Sequence, residues 1–125
     1  MQKKRIIVGA TGASGAPILL RCLELIKDTP GYESCLIMSS SAKITLGQET
    51  EYTVGKVEAL ADMVYQPCEI GAGPASGSFL TEGMIVVPCS MKTAAGIHSG
   101  YSDNLILRAA DVTVKVPFIC EIFRN

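Results

Sequence analysis

The chain has 125 residues, of which 48% are hydrophobic and 18% charged, and its formal net charge is -1. This length suits one domain with a real core, and the absence of a clustered basic patch argues against a nucleic-acid-binding surface. No apolar run approaches the roughly 20 residues that span a bilayer, and a glycine-rich turn interrupts any secretory leader, so we expect a cytoplasmic protein without membrane association.

The first half of the chain predicts alternating strands and helices. The apolar run at residues 6–8 indicates a short buried strand, and residues 16–26 place apolar side chains at helical spacing. Pro17 suits the first turn of that helix, because its missing N–H has no partner there in any case. The next predicted elements are a strand over 35–38 and helices over 42–47 and 54–61.

The second half continues this alternation after a loop rich in glycine and small residues at 69–79. The run GMIVVPCS, residues 83–90, is apolar enough for a strand covered on both faces. A helix is predicted over 104–110, and the residues after it are compatible with a last strand. We therefore predict a single domain, residues 1–125, with an α/β fold: a Rossmann-like, doubly wound parallel sheet in three α/β/α layers.

The cysteines and the single histidine indicate neither a disulfide framework nor a metal site. The five cysteines are widely spread, and no CxxC pair or Cys/His cluster occurs. His98 is the only histidine, which excludes mechanisms that need two. We expect the thiols to be reduced and buried as small hydrophobic side chains.

A glycine-rich turn, GATGASG, lies between the first predicted strand and helix and indicates an anion-binding site. It also resembles the fingerprint of extended short-chain dehydrogenases, and Tyr52 and Lys56 have the spacing of their catalytic pair. That pair follows the turn too soon, however, and the second strand ends in serines where NAD enzymes have an acidic residue. An NAD(P)-dependent reductase is therefore disfavoured, and we expect both side chains to face solvent.

Hydroxyl groups follow two predicted strands at the carboxyl edge of the sheet. Ser39 closes the second strand, and Ser90-Met91-Lys92-Thr93 follows the run GMIVVPC. Such groups can bind a ribityl chain or a phosphate, although Ser90 alone could also be an ordinary helix N-cap. Together with the glycine turn, they favour a mononucleotide over a dinucleotide.

Four segments resemble, in order and spacing, the UbiX-type flavin prenyltransferases, also described as the small subunit of hydroxyarylic acid decarboxylase systems. The resemblance runs from Arg5 to Lys115, and its four segments are GATGASGA, MSSSAKITLGQETEY, SGSFLTEGMIVVPCSMKTAAGI and YSDNLILRAADVTVK. It implies a metal-independent flavoprotein that transfers a dimethylallyl group from dimethylallyl phosphate to N5 and C6 of reduced FMN. It also implies a homo-oligomer whose product serves a UbiD-type decarboxylase. The alternatives are a non-catalytic FMN-binding module or flavin carrier and, less favoured, the NAD(P)-dependent reductase.

The resemblance also assigns residues. Ser14 and Glu49 match the catalytic positions near flavin N5, and Lys115 and Arg108 match the substrate-binding positions. The matches to the flavin-binding positions are Gly12, Ala13, Ser14, Ser39, Ser90, Met91, Lys92 and Thr93. From the residues alone, Glu49 reads as an exposed helix-end carboxylate, Lys115 as a solvated strand-edge lysine and Arg108 as a member of a surface salt bridge.

The match ends after Lys115. The family continues with a basic stretch, a strand, an Arg-Glu pair and helices that clasp the prenyl phosphate, whereas this chain reads VPFICEIFRN. We therefore expect a chain that is shortened at its C-terminus relative to the family and lacks much of that clasp.

Overall fold

A computed structural model describes residues 3–76, 79–113 and 117–121. Its strands form one parallel sheet in the order β3-β2-β1-β4-β5. The strands are β1 (Lys4–Ala10), β2 (Tyr32–Met38), β3 (Met63–Tyr65), β4 (Gly83–Val86) and β5 (Phe118–Cys120). The chain builds the sheet outward from β1 in one direction and then, from β4, in the other. This order confirms the predicted doubly wound fold.

The four helices predicted from the sequence are confirmed with different bounds, and the described residues contain a fifth, over 91–99. The described helices are α1 (Ala16–Lys27), α2 (Ser40–Glu49), α3 (Val54–Leu60), α4 (Met91–Ser99) and α5 (Leu105–Val112), with a 3-10 turn at Gly73–Ala75. The prediction missed β3, which has only three residues, none of them fully buried. Helix α2 begins earlier than predicted because Ser39 caps it, so that its first helical residue is Ser40.

Two apolar clusters pack on opposite faces of the sheet, which confirms the three layers. Alternate residues of β1 divide between them: Val8 packs with α1, α2 and α3, whereas Ile7 packs with α5. Strand β2 divides in the same way, with Leu36 on the first face and Ile37 on the second. Because both faces are covered, the inner stretches of the central strands, residues 6–10, 35–38 and 83–86, contain only apolar residues and glycine.

The cysteines are all free, and their burial differs. Cys35 and Cys89 are buried, Cys22 and Cys120 half-buried, and Cys68 exposed. The expectation of uniformly buried thiols is therefore wrong for Cys68, which lies in a turn after β3 rather than in the sheet. Burial raises the pKa of the Cys35 thiol to about 12. None of the helices in the described ranges is long and apolar enough to cross a membrane.

Candidate functional site

A cleft opens at the carboxyl ends of β1 and β4, the neighbouring strands at which the sheet changes its direction of growth. Ligands of doubly wound folds bind at this switch point. The cleft has a volume of about 160 Å³. It is lined by Thr11, Gly12, Ser39, Ser41, Ser90, Lys92, Thr93, Tyr101, Asp103, Asn104, Ile106 and Leu107. Five of the eight predicted flavin-binding residues are thus brought together: Gly12, Ser39, Ser90, Lys92 and Thr93.

Three helices begin at this cleft. Their N-cap residues, Ser39 of α2, Ser90 of α4 and Asn104 of α5, all line it. Each side chain accepts a hydrogen bond from the backbone N–H three residues further along, at 3.0, 3.2 and 3.0 Å respectively. Ser90 is therefore both an ordinary N-cap and a residue of the cleft. Because helix N-termini carry partial positive charge, their convergence favours a bound anion.

The glycine turn approaches α2 closely at Gly12. A Cβ atom at this position would overlap the Cβ of Ser41 and would lie 3.3 Å from the Ser41 carbonyl carbon. Glycine is therefore required here by space, so that the turn after β1 and the start of α2 can form one wall of the cleft.

Ser14 and Glu49 form a second constellation at the N-terminus of α1. Glu49 Oε1 accepts hydrogen bonds from the backbone N–H groups of Gly15 and Ala16, at 3.0 and 2.9 Å. These two bonds, together with one from the Ser14 side chain, lower the pKa of the Glu49 carboxyl. The predicted catalytic pair is thus adjacent in space, although α2 places Glu49 roughly 14 Å along its axis from the cleft end.

The hydrogen bonds of Glu49 also bear on whether the site binds a mononucleotide or a dinucleotide. In dinucleotide-binding folds the first backbone N–H groups of this helix bind the pyrophosphate. Here, two of these groups, on Gly15 and Ala16, donate to the Glu49 carboxylate instead. Tyr52 and Lys56 are both exposed, as predicted. These positions disfavour the NAD(P) hypothesis further.

The remaining predicted residues lie outside the cleft. Ala13 does not line it, and Met91, in the first turn of α4, is half-exposed. Arg108 is exposed on α5 and forms no ion pair with any of the residues that the structure describes. Lys115 lies outside the described residues.

Several residues of the cleft were not predicted from the sequence. Thr11 and Ser41 flank positions that the motifs already indicated, so the glycine turn and the serine triplet could have identified them. Asn104 begins a predicted helix and has the residue type of an N-cap. Tyr101 and Asp103 lie in the fourth segment of the family resemblance, but no strand end or glycine turn next to them indicated a place in the cleft.

A family model described as Flavoprotein matches residues 1–120. The chain belongs to the flavoprotein family. Its relatives include the probable UbiX-like flavin prenyltransferase of Streptomyces sp. (strain D7), 50% identical over 111 residues, which are 89% of this chain and 56% of that protein. The flavin prenyltransferase LpdB of Lactiplantibacillus plantarum is 53% identical over 112 residues, 90% of this chain and 60% of LpdB. These matches confirm the resemblance to UbiX-type flavin prenyltransferases.

Solved structures agree with the fold of this flavoprotein. The dodecameric FMN-dependent UbiX-like decarboxylase of Escherichia coli O157:H7 superposes with a TM-score of 0.93 at 46% identity, covering 96% of this chain and 66% of that one. AnUbiX (PadA1), in complex with FMN and dimethylallyl pyrophosphate, gives a TM-score of 0.95 at 42% identity, covering 99% and 66%. The present chain spans 56% and 60% of the two curated relatives above.

Proposed function

We propose that this flavoprotein binds FMN at the switch-point cleft and acts as a flavin prenyltransferase, joining the dimethylallyl group of dimethylallyl phosphate to reduced FMN. The observation that supports this most directly is the convergence of three helix N-termini, α2, α4 and α5, on one cleft. Its similarity to AnUbiX, which was solved with FMN and dimethylallyl pyrophosphate, points to the same ligand class.

The residues of the cleft fit a flavin mononucleotide. The converging N-termini and the Lys92 ammonium favour the charge of a phosphate. The hydroxyls of Ser41 and Thr93 can donate to phosphate oxygens, and the Asp103 carboxylate can accept from the hydroxyls of a ribityl chain. No metal is proposed, and the described residues contain no group of three or more His, Cys, Asp or Glu side chains placed to bind one.

Ser14 and Glu49, at the N-terminus of α1, would act on the reacting groups of the substrates. Bound reduced FMN supplies the nucleophilic N5 and C6 atoms. The hydrogen bonds that lower the Glu49 pKa stabilise its ionised form, which suits stabilising positive charge on a migrating allyl group better than donating a proton. Ser14, hydrogen-bonded to it, would fix its orientation. Lys115 and Arg108 are proposed to bind the leaving phosphate, a role that rests on the family resemblance.

The test is a product assay. Protein, chemically reduced FMN and dimethylallyl phosphate are incubated without oxygen, with dimethylallyl pyrophosphate in a parallel reaction, and the flavins are analysed by mass spectrometry. We expect FMN heavier by one C5H8 unit, as in a matched reaction with LpdB. A reaction that yields only unmodified FMN, while LpdB converts it, would contradict the prenyltransferase.

A second candidate is a non-catalytic FMN-binding module or flavin carrier. It is favoured by the arrangement of the described residues, because the groups proposed to bind FMN lie together in the cleft, whereas Ser14 and Glu49 do not line it. FMN titration distinguishes this candidate, because the module binds FMN with a measurable Kd yet forms no prenylated product. Binding of NADP without binding of FMN would contradict both flavin hypotheses.

The proposed partners follow from the proposed reaction. Prenylated FMN would pass to a UbiD-type decarboxylase, and the chain would assemble as a homo-oligomer, as the dodecameric relative from Escherichia coli O157:H7 does. Light scattering coupled to gel filtration gives the mass of the assembly directly. A particle of 13.2 kDa, the mass of one chain, would contradict the oligomer.

A further inference from the structure

We propose that Thr11 is a positioning residue for the flavin site, holding the two turns that form the cleft at a fixed separation. The inference rests on the proposed function, because its consequence is read in FMN binding. Thr11 is 5% exposed and is one of only three buried polar or charged residues in the described part of the chain.

The Thr11 hydroxyl makes two hydrogen bonds to one turn. Its Oγ1 donates to the carbonyl oxygen of Pro88 at 2.9 Å and accepts from the backbone N–H of Ser90 at 2.7 Å. The Thr11 backbone N–H donates to the same Pro88 carbonyl at 3.0 Å. These bonds join residues that are 77 and 79 positions apart in the chain.

These hydrogen bonds lie just beyond the end of the β1–β4 pairing, where they can hold the two turns together. The β1–β4 pairing ends at Gly9 and Val86, with one further bond from the Val87 N–H to the Gly9 carbonyl at 2.8 Å. Beyond that point the two chains continue into separate turns, which place Gly12 on one wall of the cleft and Ser90 on another. Thr11 therefore bridges the turns just past the sheet.

The Ser90 N–H connects this bridge to the ligand-binding groups. Ser90 caps α4, and its Oγ both accepts from the Thr93 N–H at 3.2 Å and donates to Thr93 Oγ1 at 3.0 Å. When Thr11 loses its hydroxyl, the Ser90 N–H loses its only described acceptor. The two turns then stay linked at Thr11 only through its backbone N–H, which donates to the Pro88 carbonyl. We expect a shifted cap to bind the anionic end of FMN less tightly.

The test compares Thr11→Val with Thr11→Ser and with a matched control, Thr113→Val. Thr113 is also 5% exposed, and its hydroxyl donates within α5 to the Ala109 carbonyl at 2.7 Å, away from the cleft. We expect Thr11→Val to raise the Kd for FMN roughly tenfold, the order of one lost hydrogen bond, and to alter the visible spectrum of bound FMN. Thr11→Ser should retain the wild-type Kd, and so should Thr113→Val, although its stability falls.

A wild-type Kd and spectrum in Thr11→Val would overturn the proposal, as would a control variant that weakens FMN binding equally. If Thr11→Val fails to fold, Thr11→Cys takes its place, because a thiol is a weaker acceptor and should give an intermediate Kd. Amide exchange at Ser90, measured without FMN, separates the two proposals. Slow exchange in the wild type and fast exchange in the variant supports the bridge even if the protein binds no FMN, whereas equal exchange rates contradict it.

Discussion

Glu49 is an exposed side chain whose charge is held by the backbone of another helix. Its carboxylate accepts from the Gly15 and Ala16 N–H groups, at 3.0 and 2.9 Å, so folding lowers its pKa. A lowered pKa means that the ionised form stabilises the folded state at neutral pH, and that this contribution disappears as the pH falls through the folded pKa. The folded state should therefore be stabilised most at pH values above 4.5, the ordinary pKa of the carboxyl.

We predict that Glu49→Gln lowers the free energy of unfolding by about 0.3–1 kcal/mol at pH 7, the usual size of an anion at an exposed helix N-terminus. The difference from wild type should shrink as the pH is lowered below 4.5 in a series of urea titrations. Glu51→Gln, at an exposed position nearby, should unfold like the wild type throughout. If the free energies of unfolding of Glu49→Gln and the wild type differ by the same amount at every pH, the charge of Glu49 does not stabilise the fold.

Gly12 is required by space rather than by an unusual backbone angle. We predict that Gly12→Ala destabilises the fold by about 1–3 kcal/mol, because its methyl group overlaps Ser41. It should also weaken FMN binding, since α2 must shift away from the glycine turn. Both effects are measured, by urea unfolding and by FMN titration.

The matched control is Gly47→Ala, within α2, where an added Cβ meets nothing within 4 Å. That variant should be more stable than wild type by about 0.5–1 kcal/mol, because glycine is the weaker helix former. The two substitutions should therefore shift the urea midpoint of unfolding in opposite directions. Equal shifts would mean that the turn and α2 are not in close contact.

Among the helices, α4 has an N-terminus that we expect to contribute both to stability and to FMN binding. We predict that Ser90→Ala lowers the free energy of unfolding by about 1 kcal/mol through loss of the cap, and that it also weakens FMN retention. Thr53→Ala separates the two effects, because Thr53 caps α3 in the same way but does not line the cleft. It should lose similar stability and keep the wild-type Kd for FMN. Equal loss of FMN affinity in both variants would assign the effect of Ser90 to stability alone.

The elements that the sequence could predict are those whose signal is local. Strands β1, β2 and β4 are apolar runs, and α1 has helical periodicity, so each was found within a few residues of its bounds. Strand β3 has partly exposed residues and gains its identity only by pairing with β2. A strand defined by its neighbour leaves no periodic trace in the sequence.

For the molecule as a whole, the residues of the site that could be predicted are those with a local signal in the sequence, and the others depend on tertiary packing. Ser39 and Ser90 could be placed together, since parallel strands end at one edge of the sheet. The contact of Glu49 with the start of α1 joins residues 33 and 34 positions apart and depends on how α1 packs on α2. The contribution of α5 to the cleft likewise depends on tertiary packing. Residue types suggested the chemistry, and only the fold determined which side chains meet.

The free thiols report on the packing of both faces of the sheet. We predict that a thiol-specific reagent added to the native protein labels Cys68 first, because its side chain alone among the five is exposed. Cys35 and Cys89 should react only when the protein unfolds, since both are buried and burial raises the pKa of each thiol well above neutral. The reactive form, the thiolate, is then scarce as well as inaccessible.

Mass spectrometry after timed labelling identifies each modified cysteine, and Cys68→Ser should remove the fast phase while leaving the others unchanged. Because a ligand that binds only the folded state lowers the unfolded population by the factor 1 + [L]/Kd, saturating FMN should slow the labelling of Cys35 and Cys89 together. FMN that protects Cys89 alone would instead indicate local ordering of the turn beside Ser90. Rapid native labelling of Cys35 would contradict a sheet covered on both faces, and with it the doubly wound architecture that places the cleft.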